Sequence, residues 1–173
     1  VSLQRVSIMF VPFVAAVVLH EFAHGLIALK WGDSTARDHG RLTLNPVPHM
    51  DILGTLVFPL LMMFGGGGIL FGWAKPVPIN PTRFRKYRPG LFWVSAAGPL
   101  MNVILAAISA FFFGLIQVVV PADLYLFEPL LIMTYVSVSM NFALAVFNLV
   151  PLPPLDGSKI VESLLRHDLA MRY

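Results

Sequence analysis

An apolar run from Val6 to Trp31 constrains the fold more than any other part of the chain, because it carries His20, Glu21 and His24 in its interior. The run exceeds the roughly 20 apolar residues that a helix needs to cross a bilayer. Ionisable side chains inside such a span are costly, and those that occur usually have a function. The run therefore predicts a membrane helix that contains a functional site.

The residues of this site read His-Glu-Phe-Ala-His, the H-E-x-x-H pattern. On a helix, residues i and i+4 lie on one face, so His20 and His24 point in the same direction and can both bind one zinc ion. Glu21 lies beside them and can take a proton from a water held by the metal. The alternative is a polar patch that hydrogen-bonds to a neighbouring helix, which we favour less because an unpaired glutamate is costly in a membrane.

The composition agrees with a membrane protein. Of the 173 residues, 57% are hydrophobic and 12% are charged, whereas soluble domains carry about 25% charged residues. The absence of cysteine excludes disulfides and leaves His, Asp and Glu as the ligands for any zinc site. The basic residues need no nucleic-acid partner to explain them, and the start at Val1 suggests a fragment of a longer protein.

Four apolar segments cover residues 6–30, 52–74, 91–120 and 129–150. The second segment is interrupted by Pro59 and by four consecutive glycines, which are poor for a continuous helix. We predict a re-entrant hairpin there, with a fourth transmembrane helix as the alternative. The predicted fold is an all-α multi-pass membrane protein with three full transmembrane helices and this hairpin.

The positive-inside rule chooses between the two topologies. With a re-entrant second segment and an outside N-terminus, 11 of the 12 Lys and Arg side chains lie on the cytoplasmic side and only Arg5 lies outside. With four crossings, the division is 9 against 3. We therefore predict the re-entrant form in a cell membrane, with the site of residues 20–24 towards the cytoplasm.

Two shorter elements complete the prediction. Gly40–Pro46 alternates polar and apolar residues and is stopped by proline, which predicts a short membrane-proximal β-strand. An unpaired strand edge of this kind can pair with an extended peptide. The last residues, 158–173, have apolar side chains at helical spacing with charges between them, which predicts an amphipathic helix.

A catalytic zinc site needs a third protein ligand and an open position. Asp156 follows the three prolines of residues 151–154, which forbid a regular helix and allow the carboxylate to turn inwards. It is our preferred third ligand, although it could also cap the next helix. We interpret His39 and His49 as solvated loop histidines.

Asn102 and Asn148 place amides inside apolar segments. Such amides often hydrogen-bond one membrane helix to another. They can also handle substrate, and the residues alone do not separate the two roles.

Three motifs in this order resemble the site-2 proteases, the intramembrane zinc metalloproteases. They are the H-E-x-x-H of residues 20–24, Gly98–Asn102, and the stretch from Asn148 to Gly157 with its Leu-Asp-Gly ending. Residues 40–46 and 72–78 look like the compact subgroup that lacks PDZ and CBS domains.

The resemblance implies a single metalloprotease domain over residues 1–173 that cleaves transmembrane segments of membrane-protein substrates within the bilayer. Because members of this subgroup often continue into a further hydrophobic helix, it also predicts that the domain is truncated at its C-terminus. It implies zinc as the cofactor and makes no statement on oligomeric state. The implied zinc ligands are His20, His24 and Asp156, the implied catalytic residue is Glu21, and the implied substrate contacts are Asn102, Asn148, Leu42, Thr43, Leu44 and Asn45.

Two other functions fit a histidine pair in a membrane. A metal transporter would need further ligands along a path, and the apolar segments hold few carboxylates besides Glu21. An adaptor with a structural zinc ion would fill all four positions with protein ligands, often cysteine, which the chain lacks. A protease therefore remains our preferred interpretation.

Overall fold

The computed structural model describes residues 3–64 and 72–165, and every regular element in these ranges is helical. The α-helices are α1 (Leu3–Trp31), α2 (Thr35–Asp38), α3 (Phe58–Phe64), α4 (Tyr87–Val119), α5 (Phe127–Asn148) and α6 (Asp156–Leu164). Short 3-10 turns lie at Val47–His49 and Pro81–Arg83, and a π-helical stretch at Ile52–Val57 leads into α3.

Three helices are long and apolar enough to cross a membrane, namely α1 from Ser7 onwards, α4 and α5. This confirms the three predicted transmembrane helices, with ends that differ by a few residues from the predicted ones. Helix α5 ends at Asn148, just before the prolines of residues 151–154. The outer faces of α4 and α5 expose large apolar side chains, including Phe111, Val118 and Phe142, as helices in lipid do.

Helix α4 contacts α1, α5 and α6 and is the centre of the bundle. Its buried face is rich in small residues, among them Ser95, Ala96, Ala97 and Gly98. Small residues allow helix backbones to approach closely in a membrane. The close approach places the polar side chains of three helices within reach of one another.

The beginning and the end of the second apolar segment lie against each other. The Trp73 N–H donates to the Gly54 carbonyl (3.1 Å), and the Thr55 hydroxyl donates to the Trp73 carbonyl (2.8 Å). A Cβ atom on Gly54 would lie 2.4 Å from the Trp73 ring, so only glycine leaves room for that ring. The glycines at the tip of the predicted hairpin, residues 65–68, lie outside the described residues.

The predicted strand at residues 40–46 is not confirmed, and the described parts of the chain contain no strand with which it could pair. Residues 42–44 and 46 form bends instead. The Asn45 N–H donates to the Thr43 hydroxyl (3.1 Å), and the Val47 N–H donates to the Asn45 side chain (3.1 Å). Such local side-chain bonds compete with strand pairing.

The predicted C-terminal helix is present as α6, which begins at Asp156 and ends at Leu164. The remainder of that prediction, residues 166–173, lies outside the described residues.

Asp33 joins the end of α1 to the extended segment of residues 72–80. Its side chain is fully buried and accepts hydrogen bonds from the Asn80 N–H (2.6 Å), the Thr35 N–H (3.0 Å) and the Thr35 hydroxyl. Three donors thus depend on one carboxylate. The segment that it holds, residues 72–80, forms one wall of the site described below.

We expect Asp33→Ala to lower the stability of the folded protein by about 1–3 kcal/mol, because it leaves buried donors without an acceptor. The measurement is the thermal unfolding midpoint in detergent micelles. Asp38→Ala is the matched control, since Asp38 is exposed on α2. Equal midpoints for the two variants would contradict this role of Asp33.

Candidate metal centre

The structure brings His20 and His24 of α1 together with Asp156 of α6. The two histidine Nε2 atoms are 3.0 Å apart. The Asp156 Oδ2 atom lies 3.3 Å from the Nε2 of His20 and 3.2 Å from the Nε2 of His24. All three residues are buried. Among the described residues, they form the one group of three or more His, Asp or Glu side chains that could hold a metal ion.

Asp156 reaches the histidines because α5 and α6 meet at a sharp turn. Leu155 is the N-cap residue of α6, so Asp156 is its first helical residue, and the alternative role of Asp156 as the helix cap is wrong. A Cβ atom on Gly157 would lie 2.3 Å from the Leu149 carbonyl oxygen. Glycine therefore lets the start of α6 pack directly on the end of α5, which turns the carboxylate towards α1.

Hydrogen bonds on the far side of each imidazole determine where its proton lies. The Nδ1 of His24 is 2.6 Å from the Val94 carbonyl oxygen, and the Nδ1 of His20 is 2.6 Å from the Asn102 Oδ1. Both partners are acceptors, so both Nδ1 atoms donate. The Nε2 lone pairs then face each other and the carboxylate, and a cation between these three acceptors would remove their repulsion.

The charge of Asp156 depends on what lies between it and the two histidines. Burial raises the pKa of Asp156, but when His20 and His24 carry a proton on Nε2 their hydrogen bonds and positive charge lower the pKa more, to well below its usual range. An ionised carboxylate is the form that binds a metal ion.

These residues fit zinc. Two imidazoles and one carboxylate are ordinary zinc ligands, and three protein ligands are the number found in catalytic sites. Ligands placed tetrahedrally about 2.0–2.1 Å from zinc lie about 3.3 Å from one another. The distances of 3.0, 3.2 and 3.3 Å between the three atoms are close to that spacing.

Glu21 lies beside this cluster at the edge of a cavity of about 380 Å³ that His20, His24 and Asp156 also line. Its Oε2 accepts a hydrogen bond from the Val77 N–H (2.8 Å). Because prolines stand at positions 76 and 78 and lack an N–H, only Val77 can donate in this stretch.

Gly98 on α4 provides the room for the two imidazoles. A Cβ atom at this position would lie 2.3 Å from the His24 Nε2 and 2.6 Å from the His20 Nε2. The glycine of the Gly98–Asn102 motif therefore has a direct spatial reason in the site.

The two predicted asparagines, Asn102 and Asn148, lie in different surroundings. Asn148 is half-buried and lines the cavity, and its amide donates to the Leu144 carbonyl (2.9 Å). Asn102 is fully enclosed and its amide already has three protein partners, which favours holding His20 over touching substrate.

The predicted strand residues lie on the loop beyond α2. Leu44 and Asn45 are exposed and Thr43 is half-buried, with its carbonyl accepting from the His49 Nε2 (2.9 Å). His39 binds the Thr35 carbonyl through Nδ1 (2.9 Å). Neither His39 nor His49 belongs to the cluster of Asp156. His39 is exposed, as predicted, but His49 is only 1% exposed, so its interpretation as a solvated histidine is wrong.

Sequence reasoning missed three groups that touch the site. The Val94 carbonyl and the Val77 N–H are backbone groups, which leave no residue signature except the prolines around Val77. The third is Asn141 of α5, whose Oδ1 accepts from the Asn102 amide (2.8 Å). An amide within an apolar segment was the available signal, the same one that identified Asn148.

Three spanning helices and a buried cluster of two histidines and a carboxylate define a membrane protein of the metallohydrolase class. Comparison with known proteins is more specific. The sequence profile of Peptidase family M50 matches residues 117–171. The protein named "Putative zinc metalloprotease YwhC" from Bacillus subtilis is 39% identical over 164 residues, which cover 94% of this chain and 71% of that protein.

The protein named "Putative zinc metalloprotease Rip2" is 30% identical in Mycobacterium tuberculosis over 158 residues and in Mycolicibacterium smegmatis over 148 residues. These alignments cover 89% and 85% of this chain but only 56% and 53% of the relatives. No solved structure matches the chain.

The chain belongs to Peptidase family M50, the site-2 protease family that its motifs predicted, and it is a zinc metalloprotease. Its assignment to the compact subgroup without PDZ or CBS domains stays a prediction.

We expect Gly98→Ala to reduce zinc affinity by about tenfold or more, because its methyl group must displace an imidazole from the cluster. Gly114→Ala on the same helix is the control, since a Cβ there meets nothing within 4 Å. The measurement is zinc binding in competition with a chelator, with helicity by circular dichroism as the folding check. Undiminished zinc affinity in Gly98→Ala would show that the space at Gly98 does not matter for the metal.

Proposed function

We propose that this protein is an intramembrane endopeptidase, which hydrolyses peptide bonds in transmembrane segments of membrane-protein substrates. The observation that carries the proposal is the depth of the metal cluster. His20 lies about 16 Å from the end of α1 at Trp31, at 1.5 Å per residue. A peptide bond that reaches the cluster must therefore enter the hydrocarbon part of the bilayer, which is about 30 Å thick.

In this proposal His20, His24 and Asp156 hold the zinc ion. Zinc held by these residues would supply a Lewis acid for the scissile carbonyl and would lower the pKa of a water molecule towards neutral. Glu21 takes the proton from the attacking water and delivers it to the leaving amine. The Val77 N–H holds one oxygen of the Glu21 carboxylate, which leaves the other free to face the water.

Substrate recognition is proposed for the side of α1 next to Glu21. An apolar groove of about 450 Å³ runs along α1 and is lined by Phe10, Val11, Val14, Ala15, Val18, Leu19, Leu44 and Pro46. The groove ends at Leu19, one residue before His20. We propose that apolar side chains of the substrate occupy it, that Leu42–Asn45 contact an unwound stretch of the substrate, and that Asn148 binds the same stretch from the cavity.

The re-entrant topology belongs to this proposal, and two observations support it. His24 contacts Val94 and His20 contacts Asn102, so α1 and α4 run antiparallel, as two consecutive crossings do. A full crossing between them would make them parallel. The hydrogen bonds between Gly54 and Trp73 likewise bring both ends of the second apolar segment to one level.

We place residues 1–173 in a cell membrane with the cluster towards the cytoplasm.

Because the 173 residues contain no cysteine, topology can be read with single cysteines in intact cells. We expect Asp38→Cys and Lys86→Cys to behave alike towards a membrane-impermeant thiol reagent and to be protected from it, whereas Asp123→Cys is labelled. All three positions are exposed. Opposite labelling at positions 38 and 86 would show that the second segment crosses the membrane.

We expect Glu21→Gln to keep its zinc and to lower the cleavage rate by about 10²–10⁴-fold, because it loses the proton acceptor but no metal ligand. The measurement uses a panel of single-span substrates in liposomes, with zinc content determined in parallel. Glu128→Gln, at an exposed position at the start of α5, is the matched control. Cleavage at the wild-type rate by Glu21→Gln would remove Glu21 from the mechanism, and metal flux without cleavage by the wild type would favour a transporter.

A further inference from the structure

A chain of buried amides runs from His20 through α4 to α5. The Asn102 Oδ1 lies 2.6 Å from the His20 Nδ1, and the Asn102 Nδ2 donates to the Asn141 Oδ1 (2.8 Å). We propose that Asn141 is a positioning residue, which acts through Asn102 to hold His20 in the tautomer that can bind zinc. The inference rests on the proposed function, since it takes His20 to be a zinc ligand.

Two backbone carbonyls determine the direction of every hydrogen bond in this chain. The Asn141 Nδ2 is 2.9 Å from the Ser137 carbonyl oxygen, which can only accept, so the Asn141 Oδ1 must face Asn102. The Asn102 Nδ2 therefore donates to Asn141, and it also donates to the Ala16 carbonyl (3.3 Å). The remaining atom, the Asn102 Oδ1, faces His20. As an amide oxygen it can only accept a hydrogen bond, so the His20 Nδ1–H must be the donor.

The reverse orientation of Asn102 would prevent metal binding. A flipped Asn102 would present its NH₂ group to the His20 Nδ1, which would then have to be the unprotonated nitrogen. The neutral ring would carry its proton on Nε2, in the middle of the cluster with His24 and Asp156, where a metal ion must sit. Asn141 opposes this flip because its Oδ1 would then meet the Asn102 oxygen, acceptor against acceptor.

Burial makes the direction of these hydrogen bonds energetically important. Asn102 is 0% exposed and Asn141 is 2% exposed. Because no bulk water reaches either amide, water cannot replace a lost hydrogen bond. Two acceptors that face each other there therefore raise the free energy of the folded protein. His24 needs no such relay, because its Nδ1 donates directly to a backbone carbonyl that cannot flip.

A purely structural role for Asn141 makes a different prediction. Amides often hold membrane helices together, and their loss then lowers stability without changing the metal site. The rings of Phe113 and Tyr135 form a separate contact between α4 and α5, with their centroids 6.4 Å apart. Phe113→Leu therefore removes a contact between the same helices without touching either amide, and it serves as the structural control.

The experiment measures zinc affinity of the full chain in detergent by competition with a chelator. We expect Asn141→Leu to weaken zinc binding by about 10–100-fold, as for other groups that orient a metal-binding histidine. Phe113→Leu is expected to bind zinc like the wild type. In the double variant Asn102→Asp/Asn141→Leu, the carboxylate presents only acceptors to His20 whatever Asn141 does, so zinc affinity should recover relative to Asn141→Leu alone.

A second readout reports the tautomer directly. In zinc-free protein, ¹⁵N chemical shifts of the His20 ring should show a proton on Nδ1 in the wild type and a mixture of tautomers in Asn141→Leu. Where Asn141→Leu does not fold, Asn141→Ala removes the same amide with less bulk.

Wild-type zinc affinity and an unchanged His20 tautomer in a folded Asn141 variant would overturn the proposal and leave the proposed function untouched. A wild-type protein that binds no zinc would instead overturn the proposed function itself.

Discussion

The convergence of two imidazole lone pairs and one carboxylate inside a membrane bundle is the interaction on which the rest of this site depends. Acceptors 3.0–3.3 Å apart repel one another unless a cation lies among them, and the repulsion is strong where water is scarce. The surrounding structure holds the acceptors in place from behind. His24 is held by a backbone carbonyl, His20 by the Asn102 amide, and Asp156 by the start of α6.

Helix α4 is the scaffold for both histidines. Val94, Gly98 and Asn102 follow at intervals of four residues and therefore lie on one face. The Val94 carbonyl binds His24, the Asn102 amide binds His20, and Gly98 leaves the space between. Since the histidines are also four residues apart on α1, the two helices match turn for turn as they run antiparallel. A change of register by one residue would separate every one of these contacts.

Much of the site was predictable because its spacing is local. The i, i+4 relation of His20 and His24 needs only a helix, and a helix is the regular structure that an apolar run can form in lipid without exposed backbone groups. Asp156 was predictable because prolines must break the segment before it. The strand at residues 40–46 was not confirmed, since alternation alone does not supply a partner strand and Asn45 bonds to its own neighbourhood instead.

The sequence by itself predicted a membrane protein, the three helices that are long and apolar enough to cross a bilayer, and the three side chains that the structure brings together as a possible metal site. These properties depend on hydrophobic length and on spacing within one helix, so they need no knowledge of the partners. Only the tertiary structure decided which groups support the site: the Val94 carbonyl, the Val77 N–H and Asn141. The reason is physical, since a hydrogen bond is made between particular atoms, and the distance between atoms far apart in the chain is determined by how the helices pack.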